Sequence, residues 1–256
     1  MSTYYLPAYP GTPTKRGNVG PAVELLQELL ACAGLECDVD GDFGPQTEAA
    51  VKAVQTRAGL AADGVAGPET WAALVAPYKA ACTVPDGPPP SSYREAVALV
   101  AERLAALGIR EIKVRGVGNS GPWVRLMMDG RDGKDGGYDQ AWCAGFVRHV
   151  LRIASEWTGQ TAPVPVSPSC DITAANAVKV GRLRREPPTA ARGDLTLRRG
   201  DKPGDWVHIE VVTGLLADKV KVIAGNTNDT GSREGVKVCP HVHGLAGYDV
   251  IHMGAA

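Results

Sequence analysis

Apolar residues recur at helical spacing in three stretches of the chain. Between Val19 and Leu30 they fall at Val23, Leu26, Leu29 and Leu30, and Gly34 supplies the stop. Between Tyr93 and Gly108, Val97, Val100, Leu104 and Leu107 share one face. In "DQAWCAGFVRHVL" and the residues after it, Cys143, Val147, Val150, Leu151 and Ala154 form an i, i+4, i+7, i+8, i+11 stripe that turns the thiol inward. The pattern then changes to a period of two. In Trp206 to Thr213, Val207, Ile209 and Val211 alternate with His208, Glu210 and Val212, which predicts a strand with His208 and Glu210 on one face. A second strand, "KVKVIAGN", runs to Asn226.

The first third repeats itself. "DGDFGPQTEAAV" from Asp40 is echoed by "DGVAGPETWAAL" from Asp63, 23 residues on. Each copy reads as an Asp-Gly turn followed by Gly-Pro at a helix start, where proline's fixed φ and missing N–H cost nothing. With the helix ahead of them, the two copies predict a bundle of three short helices. "TVPDGPPPSS" cannot continue a helix and favours extended backbone. The chain therefore divides into a helical module over 15–80, a proline-rich linker over 81–92 and a second domain over 93–256.

Charge excludes one class of partner. The 27 basic and 28 acidic residues balance to a net charge of −1, which gives no basic face for nucleic acid. No run approaches a membrane span, and "MSTYYLPAYPGTPTKRGNVG" lacks the n- and h-regions of a secretory signal. The six cysteines form no CxxC pair, and spacing leaves open whether Cys32 and Cys37 bridge.

Cys143 stands where the helix begins, after "GGYDQ". Unpaired N–H groups and the helix dipole favour the thiolate there, the nucleophilic form. His208 offers a base on the later strand, and Asn226 can fix its tautomer. Residues two apart on a strand lie about 7 Å apart, so Glu210 ranks behind Asn226 as the group that orients His208.

The repeat, together with "LLQELL" and "AVKAVQ", resembles the peptidoglycan-binding-domain-1 family over about Val19 to Val75. That resemblance implies a module that holds cell-wall glycopeptide, while Asp40, Gly41, Pro45 and Thr47 read as turn and cap residues. "WCAGFV", "GDL", "HIEVVTG" and "IAGN" resemble the CHAP family, the cysteine, histidine-dependent amidohydrolases/peptidases. This implies an α+β, papain-like domain with an antiparallel sheet, in which Cys143 is the nucleophile, His208 the base and then acid, and Asn226 the orienter. Oxyanion or substrate contacts would fall to the Cys143 backbone N–H and to Gln140, Tyr138, Trp142 or Glu210. Two positions depart from the family: Ala224 stands where many members have an acidic residue, and Glu210 where many have glycine.

The expected function is an endolysin-like peptidoglycan hydrolase, an N-acetylmuramoyl-L-alanine amidase or an endopeptidase. It would be a monomer made in the cytoplasm, reaching the wall through a holin or signal-independent export, and would require no cofactor. Calcium at Asp129, Asp132, Asp135 and Asp139 is a further reading of "DGRDGKDGGYD", although the spacing does not match an EF-hand. In "CPHVH", Cys239, His241 and His243 alternate as three zinc ligands would, but no HExxH accompanies them, which favours packing and surface roles. The basic residues of "VGRLRREPP" and "LRRG" read as a solvated face. The rival functions are an inactive wall-binding protein and a zinc-dependent amidase or peptidase.

Overall fold

The computed structural model describes residues 6–114, 117–128, 141–185, 189–228 and 235–254. In chain order the elements are α1 (Pro21–Cys32), α2 (Pro45–Arg57), α3 (Pro68–Ala81), α4 (Tyr93–Ala105), β1 (Ile112–Val114), β2 (Val117–Ser120), α5 (Pro122–Met128), α6 (Cys143–Thr158), α7 (Cys170–Lys179), β3 (Leu183–Arg184), β4 (Leu195–Arg199), β5 (Trp206–Leu215), β6 (Val220–Thr227), β7 (Lys237–His243) and β8 (Tyr248–Ile251). The chain separates into two compact units: Met1–Cys82 with Arg110–Gln140, and Thr83–Ile109 with Ala141–Ala256.

In the first unit, α1, α2 and α3 each begin with proline after a glycine N-cap. Each Asp-Gly turn is clamped by a buried glutamine from the helix before it. Gln27 Nε2 donates to Asp40 Oδ1 (2.7 Å), Asp42 O (2.9 Å) and Thr47 Oγ1 (3.1 Å), and its Oε1 accepts from Gly41 N (2.8 Å). Gln55 repeats the clamp on Asp63 Oδ1 (2.7 Å), Val65 O (3.0 Å), Thr70 Oγ1 (3.2 Å) and Gly64 N (3.0 Å). Gly64 sits at φ +78°, and a Cβ there would lie 2.8 Å from Lys52 Cε. The repeat is thus a turn, a helix and the glutamine that locks the next turn.

Arg110–Gln140, expected in the second domain, clusters with the first unit. Trp123 of α5 stacks on Tyr78 of α3 with ring centroids 3.9 Å apart, and Arg125 pairs with Glu28 of α1, both largely buried. An aromatic stack and a buried ion pair outweigh adjacency in the chain. The proline-rich stretch from Thr83 clusters with the second unit: Arg103 donates to Thr83 O, and Trp157 Nε1 to Gly87 O at 3.3 Å. Cys32 and Cys37 are both free thiols.

The second unit is α+β. Its six-stranded sheet runs β3-β8-β4-β5-β6-β7, with all neighbouring strands antiparallel. α6 packs on β5 and β6, and α7 on β5. Tyr93 Oη ties α4 to α6 by donating to Leu151 O at 2.9 Å. β7 is an edge strand, which is where Pro240 is tolerated. Arg199, expected on a solvated face, instead donates from Nε to Asp249 Oδ1 at 2.8 Å. No helix among the described residues is long and apolar enough to cross a membrane.

Candidate functional site

Cys143 is the first residue of α6, and its side chain is buried. What holds that helix end in place is a close approach by β6. Gly225 lies so near that a Cβ would fall 2.7 Å from both Phe146 Cβ and Trp142 Cζ3. Asn226, at φ +54°, accepts from the Trp142 backbone N–H at 3.5 Å. Trp142 itself is fully buried at the N-cap position. Asn226 therefore braces the helix start that carries the thiol.

The Cys143 thiol is held well below the usual thiol range. The Cys170 thiol contributes most; burial opposes, and the hydrogen-bonding reach and charge of His208 and the Ile209 backbone N–H add to the lowering. Cys170 opens α7, and its Sγ lies 3.8 Å from Cys143 Sγ. The Cys170 pKa is in turn raised by Cys143 and by burial. This placement of Cys170 was not legible in the sequence, because nothing local marks a partner 27 residues away.

His208 lies buried within β5. Burial disfavours its imidazolium, but the Cys143 thiolate and then Glu210 outweigh burial and raise its pKa. Among the described residues, neither ring nitrogen has a hydrogen-bond partner within normal geometry. Its Nε2 lies 3.7 Å from Glu210 Oε1, much closer than strand spacing implies. The side chains lean together along the strand, so Glu210 stands as the carboxylate next to the imidazole.

Glu210 is the centre of a wider cluster. Oε1 lies 2.7 Å from His241 Nε2, while Oε2 lies 2.8 Å from His243 Nε2 and accepts from Thr196 Oγ1 at 2.8 Å. Burial works against the carboxylate, but His241, His243 and His208 hold its pKa far below the usual range. His243 Nδ1 is 2.7 Å from Gly244 O, and its ring stacks on Tyr248 at 4.1 Å. Burial lowers the His243 pKa, but Glu210 and the Gly244 carbonyl raise it overall.

Cys239, His241 and His243, expected in packing and surface roles, do not group together; Glu210, His241 and His243 do, with ligand atoms within 4.8 Å of one another. Val211 pairs with Ile223, and Ala224 pairs with Cys239, so Glu210 runs alongside Ala224. His241 and His243 pair with Val222 and Val220, so the two imidazoles meet Glu210 from farther along β7. The two family departures, Ala224 and Glu210, were the signal that could have found this. Tyr138, Gln140, Asp129, Asp132, Asp135 and Asp139 lie outside the described residues.

Comparison with known proteins bears on both units. Residues 19–74 match the family model of the peptidoglycan binding domain. The chain is 48% identical over 58 residues to the zinc D-Ala-D-Ala carboxypeptidase of Streptomyces albus G, covering 22% of this chain and 23% of that protein. It is 31% identical over 258 residues to the N-acetylmuramoyl-L-alanine amidase CwlM of Mycobacterium tuberculosis, covering 91% of this chain and 55% of that protein. The chain thus spans about a quarter of the first and about half of the second. Among solved structures it is similar to the Burkholderia AP3 phage endolysin, at 33% identity over 38% of this chain and 36% of that one, with a TM-score of 0.25.

Proposed function

We propose that the chain is an endolysin-like peptidoglycan hydrolase of the CHAP type, cleaving an amide bond with Cys143 as nucleophile and His208 as proton carrier. The observation that carries this reading is the Cys143–His208 pair: a buried thiol at a helix N-terminus, acidified, beside an imidazole whose pKa is raised. Such a pair is poised as thiolate and imidazolium, which is the reactive state for acyl transfer.

The thiolate adds to the amide carbonyl, and the oxyanion forms near the unpaired backbone N–H groups at the start of α6. His208 gives its proton to the leaving amine, the C–N bond breaks and a thioester remains. Water then attacks the thioester, with His208 taking a proton, the C–S bond breaks, and the Cys143 thiolate and a carboxylic acid are released. Glu210 orients His208 and favours its charged form. Asn226 braces the helix start, while Gln140 and Tyr138 remain the proposed side-chain donors to the oxyanion.

The substrate class follows from the first unit together with the relatives. A wall-binding module over residues 19–74 would hold the catalytic unit at an insoluble polymer and so raise its effective concentration there. The relatives named as amidase and carboxypeptidase act on bonds of this kind in their own contexts. The bond cut is either the muramoyl-alanine amide or a peptide bond of the stem or cross-bridge.

The test is release of soluble fragments from purified peptidoglycan by the native chain and by Cys143→Ala, with mass analysis of the products. Release by the native chain alone supports the proposal, and the masses name the bond. Equal release by both would overturn it in favour of a metal-dependent hydrolase. Wall binding without release by either would leave a binding protein.

A further inference from the structure

His243 faces an acceptor at each ring nitrogen, an arrangement that points beyond the thiol chemistry. Its Nδ1 faces the Gly244 carbonyl at 2.7 Å, and a carbonyl can only accept, so that nitrogen carries a hydrogen. In the neutral ring the other nitrogen then has only a lone pair to offer. Yet Nε2 faces a carboxylate oxygen of Glu210 at 2.8 Å, and that oxygen already accepts from Thr196. The other Glu210 oxygen meets His241 Nε2 at 2.7 Å, while His241 Nδ1 is buried with no partner among the described residues. One ligand atom each from Glu210, His241 and His243 lies within 4.8 Å of the others, and a single cation between them could take the place of the protons on the two imidazoles.

We infer that Glu210, His241 and His243 form a site for a divalent first-row transition metal, zinc being the best fit. Two imidazoles and a carboxylate are borderline donors that suit zinc and leave a position open. The surroundings are those a metal site uses. The Gly244 carbonyl fixes the His243 tautomer so that Nε2 is the ligand, Thr196 holds the carboxylate, and Tyr248 packs against the ring. His241 and His243 are only partly buried, on an edge strand, which gives the ion a way in. A bound ion would cross-link β7 to β5. The site shares Glu210 with the proposed catalytic pair, but metal binding is read without cleavage, so failure of this inference is distinguishable from failure of the hydrolytic reading.

The test is calorimetric titration of Zn2+ into the chelator-treated full chain, run beside His241→Ala, His243→Ala and Thr196→Val. One equivalent should bind in the micromolar range or tighter and raise the melting temperature. Either histidine variant should weaken binding at least ~100-fold, and Thr196→Val about 10-fold, as for a partner that orients a ligand. Ca2+ should not compete, since imidazole is a poor ligand for hard cations. Absorption of the Co2+-loaded native chain gives a readout that needs no variant to fold. Bands from nitrogen and oxygen donors alone support the site, whereas a thiolate charge-transfer band would place the ion on cysteines and overturn it. Absence of binding below millimolar Zn2+ would also overturn it, leaving His243 as an imidazolium paired with Glu210.

Discussion

Replacing Cys170 by alanine should make Cys143 less reactive without touching the nucleophile or its base. Cys170 lies 3.8 Å from the Cys143 sulfur and is the largest cause of its acidity. A hydrogen bond to a charged group contributes about 1.5–3 kcal/mol, and each 1.4 kcal/mol is a factor of ten. The thiolate-to-thiol ratio at Cys143 should therefore fall by about 10- to 150-fold in Cys170→Ala. The assay is the alkylation rate of the Cys143-containing peptide against pH, followed by mass spectrometry so that the other cysteines do not interfere. In the native chain the rate should reach its plateau at a pH well below that of an ordinary thiol. In Cys170→Ala the inflection should move to higher pH, and Cys170→Ser, which keeps a donor, should restore part of the shift. The linkage has a definite sign. A thiol whose folded pKa is depressed contributes stability that is present above its unfolded pKa and lost as pH falls through the folded value. Cys170, whose own folded pKa is raised, costs stability above the unfolded thiol pKa, so the variant should be most destabilised, relative to the native chain, between its Cys143 inflection and the unfolded thiol pKa, and the difference should shrink at more alkaline pH. Superimposable alkylation profiles would refute the reasoning, leaving His208 and the helix terminus as the only sources of acidity.

Three further outcomes are expected. Gln55→Ala should cost the first unit about 2–3 kcal/mol, because Gly64 N loses its acceptor and Asp63 and Thr70 lose their donor; hydrogen exchange at the Gly64 amide should accelerate, and unchanged protection would count against the clamp. Arg125→Ala strands Glu28 beside an apolar core and should destabilise the first unit by about 3–5 kcal/mol in a denaturant titration, with a loss under 1 kcal/mol marking the pair as dispensable. Gly225→Ala inserts a methyl 2.7 Å from Phe146 Cβ and Trp142 Cζ3, so it should cost about 1–3 kcal/mol and slow Cys143 alkylation at every pH. A thermal melt and the same alkylation assay check both effects, and a native-like melt would mean the helix start yields without cost.

Local chemistry alone determined much of this protein. Gly-Pro at a helix start, apolar residues at a 3.6 period and alternation at a period of two are written in neighbouring residues, so α1, α2, α3, α6 and β5 were legible. So were Cys143 at a helix N-terminus and His208 sharing a face with Glu210. These need no partner distant in the chain.

Tertiary structure decided the rest, because it depends on which strands pair, in what register, and on how closely elements approach. The ladder sets Ala224 beside Cys239, yet Glu210 groups with His241 and His243, which pair with Val222 and Val220 farther along β7. Packing of α7 on β5 puts Cys170 against Cys143, which lowers the pKa of Cys143 and raises that of Cys170. The approach of Gly225 to Trp142 sets Asn226 on the helix start. Residues 110–140 join the first unit through an aromatic stack and a buried ion pair whose partners lie 45 and 97 positions away in the chain. Periodicity fixes what each residue faces within its own element; only the fold fixes what it meets there.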